Sequence, residues 1–156
     1  IRKIEKKDNL FIKKTLINVM NEYGVPSEGT ALADLELNHM YESYSLDKHI
    51  YYILTIENKI VGGAGIAPLK NSDKNICELQ KMYFLPVARG KGLGSLMIKK
   101  CIDYASKSRF EYCYIETMHN MIKAQKLYTS YGFKFIDSPL GNTGHSSCTV
   151  WMLKKL

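Results

Sequence analysis

The stretch Arg89-Gly90-Lys91-Gly92-Leu93-Gly94-Ser95 constrains this chain more than any other, because three alternating glycines stand between a strand-like run and a helix-like run. A glycine has no Cβ, so its backbone can come close to a ligand and adopt positive φ, which lets successive N–H groups point into one concavity. The following helix adds its unpaired N-terminal donors and the positive end of its dipole. Arg89 and Lys91 bring formal charge to the same turn. Two readings stand: a cradle for a diphosphate, or a tight strand-to-helix connection kept for packing alone. The spacing is not that of a Walker A loop, since no Gly-Lys-Ser/Thr closes the run, and the dinucleotide fingerprint needs another glycine register.

Upstream, Ile1 to Ile4 reads as a short strand. Asp8-Asn9 then offers N-cap chemistry for a helix carrying Leu10, Leu16, Ile17, Met20 and Tyr23, ended by Gly24 and Pro26. A second helix is expected from Asp34 to Tyr44, where Leu37, Met40, Tyr41 and Tyr44 recur at three and four. Ile50–Ile56 and Ile60–Leu69 form a hairpin turned at Glu57-Asn58-Lys59, and Gly62, Gly63 and Gly65 mark a bulge or a close backbone approach. After the polar loop Lys70 to Asn75, strict alternation over Ile76 to Leu85 separates Cys77, Leu79, Tyr83 and Leu85 from Glu78, Gln80, Met82 and Phe84.

The helix from Gly92 to Lys107 is expected to bury Leu93, Leu96, Met97, Cys101, Tyr104 and Ala105, and a strand follows over Tyr112 to Thr117. This strand, helix and strand form a right-handed crossover, so the two strands lie parallel with the glycine turn at their C-terminal ends, where open α/β sheets bind ligands. A helix from Asn120 to Tyr131 ends at Gly132, and the strands Phe133–Ile136 and Cys148–Leu153 close the chain.

At 156 residues the chain fits one domain, 1–156, with no linker visible. No apolar run approaches the roughly 20 residues of a membrane span, and no secretory leader is seen. The chain starts at Ile1, which leaves room for residues before it. Cys77, Cys101, Cys113 and Cys148 stand far apart with no Cys-x-x-Cys pair, so they read as reduced thiols of a cytoplasmic protein and no metal is expected. The net charge of +7 comes from scattered lysines without an arginine-rich tract, which argues against nucleic acid and suits a polyanionic ligand or simple solubility.

Two linked signatures now carry a resemblance. Arg89-x-x-Gly92-x-Gly94 between strand and helix resembles motif A of the GNAT superfamily of N-acetyltransferases, and Ala124-x-x-Leu127-Tyr128-x-x-x-Gly132-Phe133 resembles its motif B, at the expected separation. Leu79-x-x-Met82-Tyr83-Phe84-x-Pro86 extends the match, which is close over Ile50 to Phe133. The family often has an asparagine three residues before the alanine; here that place is Met121, with Asn120 shifted by one.

The resemblance implies a mixed α/β fold, with a central twisted and splayed sheet of six to seven strands flanked by about four helices. It implies acetyl-coenzyme A as cosubstrate, an amine acceptor, and direct transfer in a ternary complex by a monomer or homodimer. The implied cosubstrate contacts are Met82, Tyr83 and Phe84 on the strand, Arg89, Gly90, Lys91, Gly92, Leu93, Gly94 and Ser95 in the turn, and Asn120, Ala124 and Tyr128 after it. A splayed sheet leaves strand N–H and C=O groups free, and an amide-bearing ligand can satisfy them.

Acyl transfer to an amine needs a neutral nucleophile, a donor for the oxyanion and an acid for the leaving thiolate. Backbone N–H groups near Met82 are the oxyanion candidates. Tyr128 is the candidate acid, against a purely packing role. Glu78 is the candidate base, on the expectation that it shares a face with Met82 and that burial raises its pKa. His145 and, less so, His119 are alternative proton carriers. A non-catalytic acyl-coenzyme A sensor, a protein N-terminal or lysine acetyltransferase and an RNA-associated protein remain as rival readings.

Overall fold

The β-branched and aromatic run Ile50–Ile56 (β2) pairs with Lys59–Pro68 (β3) as the expected hairpin. Glu57 and Asn58 turn it with φ of 50° and 60°, the positive values that a two-residue I′ turn requires. The computed structural model describes residues 1–72 and 75–156, so positions 73 and 74 of the loop Lys70 to Asn75 lie outside the described residues. The remaining strands are β1 (Arg2–Lys3), β4 (Ile76–Phe84), β5 (Tyr112–Thr117), β6 (Lys134–Ile136) and β7 (Val150–Lys155). They form one seven-stranded sheet in the order β1-β2-β3-β4-β5-β7-β6, in which β4 and β5 are parallel and the other neighbours antiparallel.

Among the described residues four α-helices cover the sheet: α1 (Asn9–Glu22), α2 (Met40–Ser43), α3 (Leu93–Lys107) and α4 (Ile122–Ser130). On one face, Met97, Ile98, Cys101 and Ala105 of α3 pack against Cys77, Leu79, Cys113 and Ile115. On the other, Ile12, Leu16 and Met20 of α1 pack with Met40 against Tyr51 and Ile53. Each such aliphatic side chain contributes about 2 kcal/mol on leaving water. Leu96, expected in the α3 stripe, is 58% exposed, and Ile98 takes the buried place.

Two helix expectations are corrected by local chemistry. Asp8 does not cap α1 with its side chain; its carboxylate accepts from the Arg2 guanidinium at 2.6 and 2.8 Å and from the Glu5 N–H at 2.7 Å. Asp34 to Tyr44 is not one helix. A 3₁₀ turn over Leu35–Asn38 and the short α2 are divided at His39, whose φ of −139° leaves the helical region. The broken course turns Asp34 and Glu36 inward, where Lys81 meets both.

Candidate active site

One extra residue in β4 shapes the site. Gly63 faces Tyr83 and Gly65 faces Gln80, so Ala64 alone stands opposite both Lys81 and Met82. This is a β-bulge, with Lys81 at φ 50° and its carbonyl accepting from the buried Tyr51 hydroxyl at 2.8 Å. The expectation of a bulge or close approach on the glycine strand holds: β3 has one extra residue against β2, where Leu54 faces Gly62 and Thr55 faces Ile60, and its glycines admit the Tyr44, Tyr51 and Phe84 rings that a Cβ would strike. The second bulge, on β4, was not expected.

The bulge also changes which side chains share a face. Cys77, Leu79, Met82 and Phe84 pack with the α3 layer, whereas Glu78, Gln80 and Tyr83 face the α1 side. Glu78 therefore does not share a face with Met82, as strict alternation had it. Beyond the bulge, Leu85 donates its N–H to Val61, so the intervening Phe84 turns its backbone groups away from β3.

On that far side β5 has already departed. β4 and β5 pair only from Ile76 to Glu78 against Tyr112 to Tyr114, and their remaining residues diverge. At the diverging ends lies a cavity of about 460 Å³ lined by Met82, Tyr83 and Phe84 of β4, Gly94 of α3, Asn120, and Ala124, Leu127 and Tyr128 of α4.

The glycine turn forms one wall of it. Gly90 and Gly92 hold φ of 72° and 74°, and a Cβ on either would meet nothing within 4 Å, so backbone conformation rather than crowding calls for glycine there. Among the described residues, no hydrogen bond is donated by the N–H groups from Gly90 to Ser95; the first donor of the series, Leu96, bonds to Gly92. Gly94 serves a different purpose: a Cβ there would lie 3.3 Å from Leu127, so it lets α3 and α4 approach. Lys91 is exposed beside the turn, while Leu93 packs against the core and the Ser95 carbonyl accepts from Tyr131 at 2.9 Å.

Arg89 lines the cavity, but its guanidinium is already engaged. It donates to both Glu22 carboxylate oxygens, its Nε donates to the Phe84 carbonyl at 2.7 Å, and it stacks over Tyr23. Asn120 donates to the Tyr23 carbonyl at 3.0 Å. Tyr128 is buried against Phe133, and burial pushes its phenol well above the ordinary value, so it stays protonated. Its hydroxyl makes no hydrogen bond within the described residues.

Glu78 and His145, 67 positions apart and proposed as alternatives, lie together on the other side of β4. With Glu116 their ligand-type atoms fall within 4.8 Å of one another. Glu78 is 4% exposed, and burial drives its carboxyl up to about 7 against the opposing Gln80 N–H, 2.7 Å from Oε2. His145 Nε2 lies 3.1 Å from Asp34 and Nδ1 lies 3.4 Å from Glu116. Burial alone would lower the histidine; these two carboxylates outweigh it and hold the imidazolium up to about 9. With both ring nitrogens on carboxylates, His145 brings a positive charge to the cluster, beside that of Lys81. Neither Glu78 nor His145 lines the 460 Å³ cavity, and His119 is exposed outside the cluster.

Sequence reasoning missed Asp34, Glu36, Gln80, Lys81 and Glu116, which complete this network. Lys81 Nζ meets Asp34 at 2.7 Å and Glu36 at 2.9 Å. Glu116 accepts from Tyr114 at 2.8 Å and from Thr143 at 2.7 Å. Period-two spacing placed Glu116 on the face of Tyr114, and that signal was available.

Comparison with known proteins agrees with this architecture. The model of the acetyltransferase (GNAT) family matches residues 15–133. The chain is 42% identical over 157 residues to YjgM, an uncharacterized N-acetyltransferase of Escherichia coli K12, covering 100% of this chain and 94% of that one. It is 29% identical over 107 residues to N-acetylaspartate synthetase of Xenopus tropicalis, covering 69% of this chain and 37% of the relative. A crystal structure of a GNAT acetyltransferase from Staphylococcus aureus Mu50 superposes with a TM-score of 0.87 at 19% identity, over 99% of this chain and 96% of that one. A splayed β4–β5 pair with a glycine turn of free amides at its mouth, the family match over residues 15–133 and the 42% identical relative together place this chain in the GNAT family of acetyltransferases.

Proposed function

We propose that the protein transfers the acetyl group of acetyl-coenzyme A to a primary amine, directly and in a ternary complex. The observation that carries this is the gap between β4 and β5 ending in the undonated amides from Gly90 to Ser95. Those amides and the α3 N-terminus suit a diphosphate, and the backbone of Met82 with the outward N–H of Phe84, whose carbonyl is taken by Arg89, suits the amides of a pantetheine arm.

In this reading the acceptor nitrogen forms a bond to the acetyl carbon as the carbon–sulfur bond breaks. The Met82 N–H donates to the developing oxyanion. Tyr128, held protonated by burial, donates to the departing sulfur. Glu78, poised at about 7, takes the proton from the amine directly or through water. A cysteine nucleophile is disfavoured: burial, reinforced by neighbouring carboxylates, pushes the Cys148 thiol up to about 12.

A small-molecule amine is preferred to a protein side chain as acceptor, because Glu78 is only 4% exposed and lies beside His145, which Asp34 holds at 3.1 Å. The name of the Xenopus relative, N-acetylaspartate synthetase, points the same way. No helix of the described residues is long and apolar enough to cross a membrane, and the buried free thiols Cys77, Cys101 and Cys113 suit a reducing cytoplasm. Thiol release from acetyl-coenzyme A across a panel of polyamines, amino acids, amino sugars and peptides tests the proposal. Acetyl-coenzyme A binding with no release for any amine would leave a sensor instead.

A further inference from the structure

Glu78 receives one hydrogen bond in the buried cluster, and its donor is itself held from behind. Gln80 Nε2 donates to Glu78 Oε2 at 2.7 Å, and Gln80 Oε1 accepts from the Tyr44 hydroxyl at 2.7 Å. The amide of a glutamine can turn either end toward a neighbour. Here its carbonyl end takes the phenol proton and its NH₂ end faces Glu78; a turned amide would make the phenol an acceptor and put the carbonyl on Glu78.

The sequence makes room for this chain of contacts. Gln80 pairs across the sheet with Gly65, and a Cβ at Gly65 would lie 2.6 Å from Tyr44 Cε1. With glycine there, the Tyr44 ring lies over β3, 5.0 Å from the Tyr51 ring, and its hydroxyl arrives over β4.

We propose that Gln80 is the positioning residue for Glu78, oriented by the Tyr44 hydroxyl across the space left by Gly65. Resting on the reading of Glu78 as proton acceptor, Gln80 keeps that group available as a carboxylate and fixes which of its oxygens is free. An N–H can serve only the ionised or acceptor oxygen, whereas a turned amide would offer its carbonyl to the protonated acid. The other groups around Glu78 act in both directions. Glu116 from β5 disfavours its charge, while His145 from the loop before β7 and Lys81 from β4 favour it. Asp34 and Glu36 are committed to Lys81 and His145, and Tyr114 to Glu116. The donor that touches Glu78 directly is Gln80.

The test is a ¹³C NMR titration of the full chain labelled at glutamate Cδ, with the Glu78 signal assigned by its loss in Glu78→Gln. Tyr44→Phe removes one oxygen and keeps the ring against Tyr51; Gln80→Leu removes the donor. In both, the Glu78 midpoint is expected to rise by about one pH unit, and the acid limb of the acetyl-transfer profile to rise with it, without change in KM for acetyl-coenzyme A. A midpoint unmoved in both variants overturns the role of Gln80. Should Glu78→Gln keep full activity and an unchanged profile, the reading of Glu78 as proton acceptor fails first and Gln80 loses its catalytic meaning with it. Loss of activity in Glu78→Gln beside an unmoved midpoint in Gln80→Leu sinks the inference about Gln80 alone.

Discussion

His145 Nε2 lies 3.1 Å from Asp34 Oδ1, a contact between residues 111 positions apart that closes the loop before β7 onto the segment before α2. Ser147 strengthens the closure by donating its N–H to Gly29 at 2.9 Å and its hydroxyl to Glu28 at 3.1 Å. The loop is thus held at several points, and the His145 contact is one that titrates.

Its stability is therefore expected to depend on pH. The folded histidine, at about 9, stands above its ordinary value of 6.5, so its contribution is fully present below pH 6.5 and is lost as pH rises through about 9. Replacing His145 with Gln should cost about 2 kcal/mol at pH 6, allowing for partial solvent screening, and little above pH 9.5. Urea midpoints of the two proteins across that range check it; parallel curves would mean that the imidazolium contributes nothing.

Glu78→Gln should separate activity from stability. The folded carboxyl, at about 7 against an ordinary 4.5, withdraws stability as pH rises between those values, because the charged form is the one that burial penalises. At pH 8 the glutamine variant should be more stable by about 1 to 2 kcal/mol yet slower by about 100-fold, with the acid limb near pH 7 gone from its rate profile. Thermal melts and thiol release measure the two halves independently.

Gly92→Ala isolates the backbone requirement of the turn. A methyl group there meets open space, but φ of 74° is a strained place for alanine. The expected cost is about 1 kcal/mol in stability, with acetyl-coenzyme A binding weakened about tenfold as the amides lose their common direction. Calorimetric titration with acetyl-coenzyme A reads the second; unchanged affinity would detach the turn from the cosubstrate.

Tyr128→Phe keeps the packing against Phe133 and removes only the hydroxyl. Turnover should fall by about 10- to 100-fold with KM for acetyl-coenzyme A unchanged. Equal turnover would leave Tyr128 as a packing residue.

Much of this architecture was legible from local rules. The hairpin at Glu57-Asn58, the parallel crossover and the left-handed Gly132 each follow from a residue type that a particular backbone geometry requires. The faces of β4 were not, because alternation assumes an unbroken ladder and Lys81 takes a positive φ without being glycine. Nor was the meeting of Glu78 with His145, since a loop residue is brought to its partner by ties such as Thr143 to Glu116 that leave no periodic trace. The break at His39 leaves no mark in the apolar spacing, which continues through it.

Lys81 has a consequence for how such a protein can diversify. Its backbone supplies the additional position that turns Met82 and Phe84 toward the α3 side of the sheet, and its ammonium anchors Asp34 and Glu36 on the opposite side. A substitution at this one site is felt on both sides at once. If the proposed function holds, changes of acceptor would be expected in the loop that carries His145 before the strand, where any change must keep two unrelated partners satisfied.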